Sequence, residues 1–179
     1  MKKPALLGAF GAALILSSPL GGQALRNHNT NSPVDVEADR IEVQDRADRA
    51  IFAGNVKVRQ AQLALDAARL TVAYDRSGGD GLQIQRLDAS GGVTVRSPGE
   101  TARGQYAIYD LNRRQITMLG GVVLNQGPNT VRGGRLVIDL DSGRAVVDGS
   151  AVGGGAPGTS SAGQGGRVTG RFTVPQRNP

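Results

Sequence analysis

From residue 34 onward, apolar and polar residues alternate with a period of two, broken at short intervals by Gly, Asn and Asp. Alternation of this kind places every second side chain on one face of a β-strand. One face collects Val34, Val36, Ile41, Val43, Phe52, Val56 and Val58, then Leu70, Val72, Tyr74, Leu87, Val93 and Val95. It continues through Tyr109, Leu111, Ile116, Met118, Val122 and Leu124 to Leu136, Ile138, Leu140, Val147 and Ala151. The opposite positions hold Glu42, Lys57, Thr71, Thr94, Thr117 and Ser150. Turn chemistry falls at 45–48, 77–81, 112–114, 127–129 and 141–143,. No stretch after Ala24 keeps a helical period over three turns. The pattern predicts an all-β fold of short antiparallel strands joined as hairpins, one face inward and the other in water.

A repeat organises these strands. Leu136-Val137-Ile138-Asp139-Leu140 follows Ala107-Ile108-Tyr109-Asp110-Leu111 by 29 positions, and Leu70-Thr71-Val72 follows Ile41-Glu42-Val43 by the same 29. A second marker, Gly followed by alternating apolar residues, recurs at Gly54, Gly91, Gly120 and Gly149. The markers lie 13 positions apart in three units (41 to 54, 107 to 120, 136 to 149), and a polar insert at 75–83 lengthens the other. The recurring glycines are expected where the chain passes between strands with φ > 0 or with no room for a side chain. No single unit carries enough apolar surface to bury alone, so the units must stack and share an interior. That interior is either a dry, packed core or a partly open one that accepts acyl chains.

The ends differ from the body. Lys2 and Lys3, an apolar run over 5–16 and Gly22-Gln23-Ala24 read as an export signal at 1–24, cleaved between Ala24 and Leu25,. The run is shorter than the ~20 apolar residues of a spanning helix. Residues 25–152 form the β domain, 153–166 a flexible Gly/Ser-rich loop, and 167–179 a terminal strand and tail,.

Composition narrows the chemistry. There are 27 Gly without a Gly-X-Y period, no Cys, and one His, His28, which reads as a solvated tail residue. This removes disulfides, thiolate metal sites and a Ser-His-Asp triad, and it implies no catalytic residue, metal or cofactor. The acids Asp45, Asp48, Asp75, Asp80 and Asp141 sit at turns or outward positions, against a glycan hydrolase with paired inward carboxylates,. The formal charge is +6, or +4 without Lys2 and Lys3, and every remaining cation except Lys57 is Arg. No aromatic-plus-basic stacking motif is present, so nucleic acid is not an expected partner. An anionic glycolipid or membrane surface and a plain solvated basic face both fit. No Gly-x-x-x-x-Gly-Lys occurs, so any work done must draw its energy from a partner,.

Val34-Asp35-Val36-Glu37-Ala38-Asp39, Ala53-Gly54-Asn55-Val56-Lys57-Val58 and Asp66-Ala67-Ala68-Arg69-Leu70 resemble the OstA-like family of periplasmic bridge proteins for lipopolysaccharide export. Tyr109-Asp110-Leu111, Leu119-Gly120-Gly121-Val122, Arg132-Gly133-Gly134-Arg135-Leu136 and Thr173-Val174-Pro175 continue the resemblance. It implies a twisted β-jellyroll, open at both ends, that shields lipid A acyl chains between the inner and outer membranes. The groove would then be lined by Val34, Val36, Ile41, Val43, Phe52, Val56, Val58, Leu70, Val72, Tyr109, Leu111, Met118, Val122, Leu136 and Ile138. The implied partners are lipopolysaccharide, an inner-membrane-anchored protein, the N-terminal domain of an outer-membrane barrel, and further copies of the chain stacked head to tail. A structural or adhesive exported β-repeat protein without lipid transfer is the alternative.

Overall fold

The structure, a computed structural model, describes residues 28–76, 81–149 and 167–173. The expected export signal with its cleavage point, the Gly/Ser-rich loop and Ala151 lie outside them. The described chain is β-structure apart from one three-residue helical turn at Asp45–Ala47 and the connecting turns. The strands are β1 (Asp35–Glu37), β2 (Arg40–Gln44), β3 (Arg49–Gln60), β4 (Leu63–Asp75), β5 (Gln83–Ser97), β6 (Glu100–Asp110), β7 (Gln115–Gln126), β8 (Asn129–Asp139), β9 (Arg144–Asp148) and β10 (Thr169–Arg171). All pair antiparallel in one sheet, with β3 to β8 side by side in chain order. β1 and β2 share the free side of β3, and β9 and β10 share that of β8. The terminal strand therefore docks, β10 lying against Thr130 to Arg132 of β8.

The all-β expectation holds, but the strands are not short. β3 to β8 run from 11 to 15 residues each. Three of the repeated glycines, Gly54, Gly91 and Gly120, lie inside strands instead of between them, while Gly149 follows the last residue of β9. Register slips at Ala53/Val56 in β3, Ser90/Val93 in β5 and Leu119/Val122 in β7, where three steps on that strand oppose two on the next. This is a β-bulge with one extra residue, which bends and twists the strand.

Each bulge is a left-handed pair. The first position is Gly54, Gly91 or Gly120, with φ of 81°, 84° and 84°. A Cβ there would come within 2.4 Å of Asp39, 2.6 Å of Ala68 and 2.8 Å of Gln105 respectively. The second position is Asn55, Gly92 or Gly121, all with positive φ, and a Cβ on either glycine meets nothing within 4 Å. Only the second position tolerates a side chain, and Asn, the residue that best accepts left-handed backbone after Gly, occupies one of them. Its amide donates to Asp39 Oδ2 at 2.8 Å.

The bulges divide the sheet into two halves. One contains β1, β10 and residues 56–60, 63–67, 93–97, 100–104, 122–126 and 129–133; the other contains β2, β9 and the remaining lengths of β3 to β8. Tyr109 in the second half donates its hydroxyl to Gln60 in the first at 2.9 Å, across a sequence separation of 49. The inner faces thus close on each other as a twisted jellyroll. Leu70, Met118 and Leu136 are completely buried between them. Each such side chain contributes about 1.5–3 kcal/mol through removal from water.

One hairpin was hidden in the sequence. β3 turns into β4 at Ala61 and Gln62, with Ala61 at φ 48° and no Gly, Pro or Asn to signal it. Leu63, Leu65 and Ala67, absent from the expected inner face, are buried there as a result.

The bulge geometry separates two substitutions of the same chemistry. Gly120→Ala and Gly121→Ala both impose left-handed backbone on a side chain, costing about 1–2 kcal/mol. Gly120→Ala adds overlap with Gln105, worth about 1–3 kcal/mol more,. Chemical denaturation should show the larger loss at Gly120, and equal losses would reject the packing argument.

Candidate functional site

The inner groove is packed at its centre and open at its ends. Val56, Val58, Leu70, Tyr109, Met118, Val122, Leu136 and Ile138, expected inward from the sequence, meet in one buried cluster. The space left among Val58, Leu65, Leu87, Tyr109 and Ile116 is a slit of about 10 Å³, no larger than the minimum that holds one water. Leu111 is half-buried against the same cluster at the end of β6.

Near the first strands the two halves part. A cavity of about 350 Å³ opens between Val34 and Val36 on one side and Ala50, Phe52, Val72, Tyr74 and Ile84 on the other, with Val43, Leu82 and Arg76 also lining it. β2 explains the opening. Ile41 and Val43 pair with Phe52 and Ala50, and directly opposed residues share a face, so both point inward,. They are nevertheless 56% and 58% exposed. β2 is an outer strand whose inner face lacks an opposing wall at this end.

Arg76 stands at the rim of this cavity. It donates to Asp45 Oδ1 at 2.6 Å and to the Tyr74 hydroxyl at 3.1 Å, and its guanidinium lies 5.1 Å from the Tyr74 ring centre. Asp48 lies 3.8 Å away. The hydrogen bond to Asp45, then that to Tyr74, holds the guanidinium pKa above its ordinary value.

The opposite end is open in a complementary way. Gly170 pairs with Val131, and Val131 pairs with the buried Leu124, so Gly170 and its alternates Val168 and Phe172 belong to the inner face,. Phe172 is 66% exposed and its ring folds over Gly170, where a Cβ would come within 2.7 Å of it. Val168 is also exposed.

One polar cluster interrupts the apolar interior. Gln60 is the only buried polar residue among the described ones. Its Nε2 donates to the carbonyls of Thr30 at 2.9 Å and Ser32 at 3.0 Å, and its Oε1 accepts from the Tyr109 hydroxyl and from His28 Nε2 at 3.1 Å. All four hydrogen-bonding positions of the amide are filled. His28 is therefore not a loose tail residue: its ring is part-buried, and Nδ1 is enclosed without a partner. Sequence reasoning missed Gln60 and His28, because nothing in a polar residue's own position announces a partner 32 positions away. It also left Leu82 and Ile84 unassigned, beside the insert that hid the start of β5.

Comparisons with known proteins agree with this architecture. Residues 35–144 match the family described as "LptA/(LptD N-terminal domain) LPS transport protein". An uncharacterized protein of Rhizobium meliloti (strain 1021) is 34% identical over 122 residues, covering 63% of this chain and 65% of that one. The LPS-assembly protein LptD of Saccharophagus degradans (strain 2-40) is 33% identical over 97 residues, covering 54% of this chain and 10% of LptD. The chain thus spans under two thirds of either relative. The crystal structure of LptH of Pseudomonas aeruginosa, the LptA-homologous periplasmic component of its lipopolysaccharide transport device, superposes with a TM-score of 0.63 at 19% identity. That superposition covers 80% of this chain and 96% of LptH, and it establishes the shared fold.

The Gln60 cluster has a measurable titration. Burial pushes the Tyr109 hydroxyl up to about 12, against the opposing pull of Arg114. The folded pKa lies above the unfolded value of about 10, so the stability from protonated Tyr109 is complete below pH 10. It is lost as pH rises from 10 through 12. Thermal melts should show an alkaline decline in this window that is smaller in Tyr109→Phe, and identical pH profiles would contradict the assignment.

Proposed function

Because the chain belongs to the LptA/LptD N-terminal-domain family of lipopolysaccharide transport proteins, we propose that it is a periplasmic carrier for lipid A acyl chains. It shields them on the way from the inner to the outer membrane. The observation that carries this reading is the apolar cavity of about 350 Å³, whose lining includes the uncovered inner-face residue Val43. Its volume lies within the ~300–1,000 Å³ range of small-molecule sites. Each methylene moved out of water gains about 0.8 kcal/mol, so a multi-chained lipid crosses an aqueous space at a useful rate only under such cover. The sugars stay in solvent. The packed centre, with Leu70, Met118 and Leu136 fully buried, favours the alternative of a structural β-repeat protein; the open ends favour the carrier.

The partners follow from the strand edges. β1 and β2 at one end, and β9 and β10 at the other, each pair on one side only. An unpaired row of N–H and C=O groups is a template for another strand. These edges suit an inner-membrane-anchored protein, the N-terminal domain of an outer-membrane barrel, and further copies of the chain. Unlike edges meeting head to tail extend without closing. Charge supports unlike contacts: β1 exposes Asp35 and Glu37, whereas β10 exposes Arg171 next to Thr130 and near Arg132, whose own cross-strand neighbours are Val123 and Thr169.

Two measurements test the reading. Phe52→Asp places a carboxylate in the cavity wall, where burial of an unpaired charge is heavily penalised,. It should weaken lipopolysaccharide binding at least tenfold with the circular dichroism spectrum retained, and normal binding by the folded variant would exclude the groove. Self-association should be open-ended and should weaken several-fold between about 0.05 and 0.5 M salt, over which screening shortens from more than 10 Å to a few ångströms. Light scattering that shows a strict monomer, or a closed dimer indifferent to salt, would exclude the shared-edge arrangement.

A further inference from the structure

A glutamine with every hydrogen bond filled is an obstacle in a groove meant to hold acyl chains. The position of Gln60 suggests what the obstacle does. Three of its four bonds reach into residues 28–32, through His28 Nε2 and the carbonyls of Thr30 and Ser32. The fourth reaches Tyr109 on the opposite half-sheet. Residues 28–32 carry their own turn, with Ser32 N donating to Asn29 O at 3.2 Å and Asn31 N to Asn29 Oδ1 at 3.1 Å. The segment is thus a preformed strap, tied to the interior chiefly through one side chain. Val34, where the strap joins β1, lines both the open cavity of about 350 Å³ and the closed slit of about 10 Å³. It is the one residue that the two linings share.

We propose that Gln60 is the latch of an internal gate: the strap at residues 28–34, held by Gln60, closes the deep groove, and an acyl chain passes beyond the open cavity only when the strap lifts. The inference rests on the carrier reading and adds a specificity element to it. Lifting exposes the Thr30 and Ser32 carbonyls and the His28 ring to water, which replaces their bonds to Gln60. Gln60 keeps Tyr109 as a partner throughout, so the open state leaves only part of one amide unsatisfied. The barrier is therefore finite and sits at one residue. Loss of the latch affects passage into the deep slit while leaving the receiving cavity intact.

The test uses the full chain, hydrogen exchange and lipopolysaccharide carrying a diazirine at an acyl terminus, with adduct positions read by mass spectrometry. In the unaltered protein, adducts should concentrate on Phe52, Val72 and Ile84, with few on Leu65, Leu87 and Ile116. Gln60→Leu keeps the volume similar and removes all four bonds. It should accelerate exchange of the strap amides at least tenfold and raise deep adducts several-fold, with cavity adducts unchanged. Tyr109→Phe removes one bond and should move both readouts in the same direction by less, which covers the case in which Gln60→Leu folds poorly. Strap exchange unchanged in a folded variant overturns the latch. Cavity adducts accompanied by deep adducts that do not depend on Gln60 overturn the gate while leaving the carrier reading intact. An absence of adducts at every position in all three proteins overturns the carrier reading, and the gate falls with it.

Discussion

The structure depends on a close approach that only glycine permits. Where β3, β5 and β7 cross the middle of the sheet, a left-handed residue lies against a side chain of its neighbour, Asp39, Ala68 or Gln105, with no space for a Cβ. Without these bulges, long antiparallel strands would form an open ribbon with one large apolar face in water. With them, the inner faces of the two halves meet, and Leu70, Leu87, Ile116, Met118 and Leu136 lose nearly all contact with solvent. The bend converts a repeat of hairpins into an interior.

This constraint explains what was legible in the sequence. The period-two alternation identified the inner side chains of β5 and β7 correctly, because the bulges there leave the same parity inward on either side: Leu87, Val93 and Val95, then Ile116, Met118, Val122 and Leu124. The glycine repeat was legible as a spacing but not as a geometry. A Gly before alternating residues reads equally as a strand boundary or as a bulge, and only the pairing at Leu119/Val122 distinguishes them. On β4, β6 and β8, which lack the extra residue, the inward parity changes at the bend, from Leu65 and Ala67 to Leu70 and Val72 on β4. That change, with the unsignalled turn at Ala61, is why Leu63 and Leu65 escaped notice.

The site was legible in kind and not in extent. Sequence patterning placed Val34, Val36, Phe52 and Val72 on one apolar face, and these residues do converge on the open cavity. Patterning alone could not separate cavity wall from packed core, since Leu136 and Phe52 obey the same alternation. The difference arises from which strands have an opposing wall. β2 pairs with β3 on one side and leaves Ile41 and Val43 uncovered, whereas β8 lies between β7 and the outer pair β9 and β10 and buries Leu136 completely. Burial here is a property of position in the sheet more than of the residue.

The same logic orders the polar groups. Outward positions near the first strands pair opposite charges across neighbouring strands, as in Asp35 with Arg59, Glu37 with Lys57, and Lys57 with Asp66. Farther along the sheet, Arg103 opposes Val123, and Arg132 lies between Val123 and Thr169 without an acidic cross-strand neighbour, whereas Arg135 and Arg144 face Asp148 and Asp139. The two ends differ in apolar chemistry as well: a cavity between the halves at the first, and Phe172 lying over Gly170 at the second. A molecule whose ends differ in both charge and shape has a direction. In a stack of the proposed kind, built from unlike edges, that direction would be imposed on every unit without any difference in sequence between the copies.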